Sequence, residues 1–268
     1  MIEAALKTGL ALVLAGLAAT YACGWRRLHV AGYAPPLWRP ALYALGLGAV
    51  AAALLSRLDD LAAARFSSHM GQHLLLTMMA APLVLLGNPL PLILWGLPAG
   101  LRSKLAAPLR RRARLRAALS ALTFMPVAGV LHVATVWLWH LPSLYDAAVE
   151  HELVHALEHI TFFATAILFW WPIIQPAPRL HAPPHPGLQI LYLVAATAQS
   201  TALGMLLAVP EQAFYPHYVR LAATLGVSAV DDQMLGGGLM WSGAHMYLLP
   251  ILLILYGLSR DAGREQAT

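Results

Sequence analysis

The sequence predicts an all-α fold, a polytopic membrane helix bundle of about seven transmembrane helices. Three observations predict it. Hydrophobic residues make up 59% of the 268 positions and charged residues only 11%, where soluble domains carry about 25% charged residues. Mean hydropathy is +0.65. The apolar residues fall in runs of about 20, the length a helix needs to cross a bilayer. Seven such runs leave no room for a large soluble domain, so 1–268 reads as one integral membrane unit. The same figures exclude a secreted disulfide scaffold, a disordered chain and an ordinary soluble enzyme. The single cysteine, Cys23, excludes Cys-based zinc or iron–sulfur sites.

In chain order the spans are expected at 4–22, 37–55, 68–87, 121–140, 152–174, 187–209 and 238–258. The first has only Lys7 near its start and ends in the poor cleavage sequence ATYAC, so it is kept as a mature helix. After Gly87 the apolar stretch is broken by Pro89, Pro91 and Pro98, which predicts an interfacial or re-entrant segment. The loop 175–186 is Pro-rich and expected to be extended. The loop 210–237 is longer and ends in DDQMLGGG, with Gly236, Gly237 and Gly238 read as a turn opening the seventh span or as a close-packing element.

Charge fixes the expected orientation. With the N-terminus outside, thirteen basic residues fall inside: Arg26, Arg27, Arg39, the cluster Arg102, Lys104, Arg110, Arg111, Arg112, Arg114 and Arg116, then Arg179, Arg260 and Arg264. Only Lys7, Arg57, Arg65 and Arg220 fall outside. This asymmetry predicts N-out/C-in. The isoelectric point near 9.6 then reports loops beside anionic lipid, not nucleic-acid binding.

With this topology nine of the twelve histidines gather toward the outer side; only His29, His181 and His185 lie inside. His69 and His73 are one turn apart. His132 and His140 are two turns apart, and His151, His155 and His159 form three successive turns on one face. His73, His132, His155, His159 and His245 come out on the order of 10 Å deep at 1.5 Å rise per residue. Imidazoles from four helices thus share one layer, and intramembrane ionisable groups of this kind mark functional sites. Met70, Met78, Met79, Met205, Met234, Met240 and Met246 follow the same bias. Thioether with imidazole suits Cu(I), and imidazole alone also suits zinc or iron. Met70 and Met246, each beside a histidine, are the strongest thioether candidates. The candidate metal ligands are therefore His69, Met70, His73, His132, His140, His151, His155, His159, His245 and Met246. The metal ion is expected to enter near His69, Met70, His140 and His151, drawn by Asp146, Glu150 and Glu152. It would settle deeper among His73, His155 and His159, with His132 or His245 completing the sphere and Glu158 orienting a ligand.

Residues 151–159, HELVHALEH, contain H-E-x-x-H at 151–155 and the inverted H-x-x-E-H at 155–159. A membrane zinc metalloprotease is therefore one alternative, with Glu152 as general base. A bis-histidine haem-b protein is another, since paired histidines at equal depth suit axial ligation.

Four segments in order resemble the multi-span CtaG family, assembly factors for caa(3)-type cytochrome c oxidase. They are His69-Met70-x-x-His73 running into Ala81-Pro82-Leu83 and Gly87-Asn88-Pro89; Trp139-His140-Leu141-Pro142-x-x-Tyr145-Asp146; His155-x-x-Glu158-His159 with Phe169-Trp170-Trp171-Pro172; and Asp232-Gln233 with Gly237-Gly238 and Met240-Trp241. They span about 66–246. The resemblance implies a non-catalytic, multi-pass factor of the bacterial plasma membrane, a metallochaperone with copper as its metal. Its implied partners are oxidase subunits and a copper donor outside the membrane, and a homodimer is compatible with it.

Overall fold

The computed structural model describes residues 2–33, 35–110 and 113–265. Arg111 and Arg112 of the expected basic cluster lie outside the described residues. Among the described residues every regular element is helical. In order they are α1 (Ile2–Val30), α2 (Trp38–Leu54), α3 (Arg57–Ala64), α4 (Phe66–Leu74), a π-helical turn (Leu75–Ala80), α5 (Ala81–Leu86), α6 (Pro89–Gly96), α7 (Ala99–Ala106), a 3₁₀ turn (Ala107–Leu109), α8 (Arg114–Leu122), α9 (Met125–Trp139), α10 (Pro142–Glu150), α11 (Glu152–Ile174), α12 (Pro186–Ala208), α13 (Pro216–Leu225), α14 (Ala229–Ala244), a 3₁₀ turn (His245–Tyr247) and α15 (Leu248–Glu265).

Five continuous helical stretches are long and apolar enough to cross a membrane: Ile2–Val30, Phe66–Leu86, Glu152–Ile174, Pro186–Ala208 and Ala229–Arg260. Two bent pairs raise the number to as many as seven: α2 with α3, bent 43°, and α8 with α9, bent 67°. Each bend has a local cause. Ser56 leaves helical geometry and its side chain accepts from Leu58 N–H, capping α3. Phe124 is extended and Pro126 occupies the first turn of α9, where a missing N–H costs nothing.

The last span corrects the expectation of a start at residue 238. It begins at Ala229, because Ser228 caps it by accepting from Asp231 N–H (3.1 Å) and Asp231 and Asp232 sit at the positive end of the helix. Gly236, Gly237 and Gly238 are therefore helical, not a turn. Their small size serves packing. A Cβ on Gly237 would stand 2.6 Å from Ala208 N and Gly204 O of α12, and one on Gly236 would stand 2.4 Å from the Phe66 ring of α4. Backbones approach this closely only where both faces are small. The loop 210–237 likewise contains α13, ended by Gly226 at φ 65°.

After Gly87 the chain folds into α6 and α7, helices too short to span. Asn88 makes the turn at φ 48°. The α6 helix lies directly on α1: a Cβ on Gly24 would meet Leu92 O at 1.8 Å, and one on Gly96 would meet Thr20 O at 1.9 Å. Beyond it Arg27 donates to Trp95 O and Leu97 O, Arg116 donates to Arg179 O, and Asn88 Oδ1 accepts from Ala177 N–H. The basic segments and the Pro-rich loop thus meet at one end of the bundle. The histidines of α11 lie at its other end, since 23 residues span about 35 Å.

The π-helical turn has a sequence cause in Pro82, which has no N–H to continue the α-helical ladder. The Ala81 N–H bonds Leu76 O instead of Thr77 O. The carbonyl of Thr77 so released accepts from Trp170 Nε1 (2.9 Å), so α4–α5 and α11 are joined where the helix is irregular.

Candidate metal centre

Helices α4 and α11 build the site. The i, i+4 spacing turns His69 and His73 toward α11 and His155 and His159 toward α4. His69, His73, Glu158 and His159 are all buried, and each offers a ligand atom within 4.8 Å of the other three. His69 Nε2 lies 3.3 Å from Glu158 Oε2, and His73 Nε2 lies 3.6 Å from Glu158 Oε1. Neither contact has hydrogen-bond geometry. Seven buried side-chain atoms of this cluster lack a partner: His69 Nε2, both ring nitrogens of His73, His155 Nε2, His159 Nε2 and both oxygens of Glu158. Buried polar groups in folded proteins are almost always paired. Four of these residues, His69, His73, Glu158 and His159, lie close enough together to hold a cation.

The neighbours fix at least one proton. Tyr218 Oη donates to Ala62 O (2.7 Å) and lies 3.2 Å from His69 Nδ1. Burial raises the Tyr218 phenol above its ordinary range, so it stays protonated. Its oxygen therefore accepts from His69 Nδ1–H, and His69 Nε2 presents a lone pair toward Glu158. Two acceptors 3.3 Å apart repel unless a proton or a metal ion lies between them. Imidazoles held through Nδ1–H in this way are the usual form of a metal ligand. The N-terminus of α4 is held from α14: the Asp232 carboxylate accepts from Phe66 N–H (2.7 Å), Ser67 N–H and the Ser67 hydroxyl.

Toward the surface a second group, Asp59, His155 and His159, shares His159 with the first. Asp59 also accepts from Gln72 Nε2 (2.7 Å) and pairs with Lys7, which bridges to Glu3 and Asp60. Sequence reasoning missed Asp59, although the acidic pair Asp59-Asp60 just before the histidine helix was its available signal. On the inner side of the cluster His140 and Met70 meet, with Nε2 and Sδ 3.3 Å apart. Together with His73 and His132 they line a cavity of about 40 Å³.

The structure thus gathers His69, His73, His155 and His159, and sets Met70, His132 and His140 beside them. It does not bring His151, His245 or Met246 to the cluster. His151 is exposed and extended ahead of α11, so its ring is not on the helical face of His155. His245 and Met246 lie exposed on the bundle surface, with His245 Nδ1 3.1 Å from Trp241 O. His69 and His140 are buried rather than at an entrance. The expected acidic mouth is also displaced. Glu150 pairs with Arg220 and Asp146 accepts from His217 N–H, while Glu3, Asp59 and Asp60 form the acidic group linked to the histidines through Asp59. Of the other methionines, Met78 and Met240 are buried at the cavity, whereas Met79, Met205 and Met234 are exposed.

The model of a family described as cytochrome c oxidase caa3 assembly factor matches residues 19–260. Uncharacterized proteins of Mycobacterium bovis and Mycobacterium tuberculosis are each 28% identical over 270 residues, covering 93% of this chain and 38% of the relative. An uncharacterized protein of Mycobacterium leprae is 26% identical over 251 residues, covering 91% and 37%. The chain therefore spans less than two fifths of the relatives it matches. No solved structure matches it.

Proposed function

The chain belongs to the caa3 cytochrome c oxidase assembly-factor family, and we propose that it takes up copper as cargo at the His69–His73–Glu158–His159 centre and delivers it to that oxidase. The observation that carries this reading is that three imidazoles and a carboxylate, each with an unpartnered buried donor atom, lie within 4.8 Å of one another. Three imidazoles and a carboxylate bind divalent copper more tightly than zinc. With bonds near 2.1 Å, tetrahedral ligands stand about 3.4 Å apart, so donors within 4.8 Å need only a modest contraction. In the N-out orientation the centre faces outward, where a copper donor outside a bacterial plasma membrane would deliver the ion. Asp59, His155 and the acidic group beside them form the approach. A carrier must also release its metal, and the second group at Asp59 offers exchange ligands for both steps.

Zinc is the second reading, favoured by the same donor set. The HELVH form of it loses its ligand pair, because His151 lies off the face of α11. Haem fits less well: the cavity beside the histidines is about 40 Å³, far below the roughly 300 Å³ or more of organic-cofactor pockets.

Metal content of the purified full chain in chelator-free detergent tests the proposal, after addition of copper or zinc, with His73→Ala and His155→Ala alongside. Copper retained by the wild type and lost from His73→Ala supports it, with partial loss from His155→Ala. Zinc retained in preference to copper supports the second reading. Failure to retain either metal refutes the centre.

A further inference from the structure

A second pair of donors lies on the far side of His73. The Nδ1 of His140 stands 2.7 Å from the Val136 carbonyl oxygen. A carbonyl only accepts, so the proton is on Nδ1 and Nε2 of the neutral ring carries a lone pair. That lone pair faces the thioether sulfur of Met70 at 3.3 Å, and Met70 is 1% exposed. Two electron-pair donors are thus pressed together with no proton available between them.

His132 repeats the arrangement. Its Nδ1 lies 3.3 Å from Thr165 Oγ1, whose own proton goes to Thr161 O (2.8 Å). The hydroxyl oxygen therefore accepts from His132 Nδ1–H, leaving Nε2 aprotic. Met70, His73, His132, His140, Met78 and Met240 line the same cavity. Its volume of about 40 Å³ exceeds the roughly 10–15 Å³ that one water needs. It has room for an ion or a water and none for an organic ligand.

We propose that this cavity is a second, soft metal site that binds Cu(I) through Met70 Sδ and His140 Nε2, with an imidazole from His73 or His132 as third ligand. Metal bonds of about 2.0 Å to nitrogen and 2.3 Å to sulfur at tetrahedral angles place N and S about 3.5 Å apart, close to the 3.3 Å observed. The donor chemistry separates the two sites. The Glu158 centre offers a hard oxygen and suits divalent ions, whereas a thioether with imidazoles selects Cu(I). Both nitrogens of His73 are unpartnered, and His73 belongs to both the cluster and the cavity, so it is the shared wall between them. The inference rests on the proposed function only in taking copper as the cargo.

The test uses the full-length protein in detergent, with Cu(I) alone as one probe under anaerobic conditions and Zn(II) alone as the other. Cu(I) affinity is read by competition with a chromophoric chelator, and the ligand set by X-ray absorption at the copper edge. A sulfur shell in the wild-type Cu(I) spectrum is expected. Met70→Leu, which keeps the side-chain volume, is expected to abolish that shell and weaken Cu(I) binding at least about tenfold. It leaves Zn(II) binding unchanged. Glu158→Gln does the reverse. A wild-type spectrum with nitrogen and oxygen neighbours only overturns the proposal without requiring any variant. So does a sulfur shell that survives Met70→Leu, or a variant that weakens both metals equally. Zn(II) binding that survives Glu158→Gln counts instead against the carboxylate centre and leaves the Cu(I) site standing.

Discussion

Replacing Glu158 by glutamine separates two roles for a buried carboxylate. If Glu158 is the structural partner of protonated His69 and His73, removing its charge strands two buried cations, and the protein loses about 3–5 kcal/mol. If Glu158 is a metal ligand, the metal-free protein behaves oppositely. Both carboxylate oxygens are buried without partners, and the lone pair of His69 Nε2 faces one of them at 3.3 Å. A glutamine amide placed there donates N–H to that lone pair and removes the buried charge. Relief of one unsatisfied buried group amounts to about 1–3 kcal/mol. Thermal unfolding of the metal-free protein should therefore move upward in Glu158→Gln. Added Cu(II) should raise the wild-type midpoint, by about 2.7 kcal/mol of stability at a hundredfold excess over Kd, and should leave the variant's unmoved. A variant that is less stable without metal, yet still stabilised by Cu(II), would refute the ligand assignment.

Other predictions follow from the supports of the site. Asp232→Ala should cost about 1–2 kcal/mol through loss of the cap on α4 and should weaken metal retention, measured by elemental analysis; Asp232→Asn, which keeps one acceptor, should lose less. Gly237→Ala should destabilise by about 1–3 kcal/mol, because its Cβ meets the α12 backbone at 2.6 Å. Gly238→Ala, with nothing within 4 Å of the new atom, should instead stabilise by about 0.5–1 kcal/mol. Both are read from unfolding midpoints. Tyr218→Phe removes the acceptor for His69 Nδ1–H and should weaken metal affinity about 10–100-fold in a competition titration. His151→Ala should leave metal content unchanged by the same elemental analysis, since its ring is exposed at the start of α11.

Hydropathy made the helical membrane bundle legible, because every long span must bury its own backbone polar groups and so appears as a continuous apolar run. It did not reveal the bends at Ser56 and Phe124, since α3 carries Arg57, Asp59 and Asp60 and α8 carries Arg114 and Arg116, so the short arm of each bend reads as loop. The last span was placed too late because three glycines carry the signature of a turn. What admits them into α14 is the close approach of Gly204 and Ala208, a contact between distant segments. In the site, the i, i+4 pairs His69/His73 and His155/His159 were readable as helical faces. Which faces meet was not, and His245 shows why: in a span that starts at Ala229 it lies about 24 Å along the helix, deeper than the others, and it is exposed on the bundle surface. His151 was misplaced for a local reason, since a helix start one residue later takes its ring off the helical face. Asp59 joins the histidines from a helix that hydropathy treats as loop.

The π-helical turn between α4 and α5 carries a consequence for how this span is read. One residue advances an α-helix by about 100°. The wide turn therefore breaks the angular phase between the half bearing His69 and His73 and the half beyond Ala80. No single wheel projection describes residues 66–86. A residue's azimuth in the outer half says nothing about which neighbour the inner half will meet, and each half needs its own phase origin. Deleting one residue within Leu75–Ala80 would restore continuous winding, but it would swing one half against the other by more than a quarter turn. The Thr77 carbonyl would then be drawn back into the helix and away from Trp170.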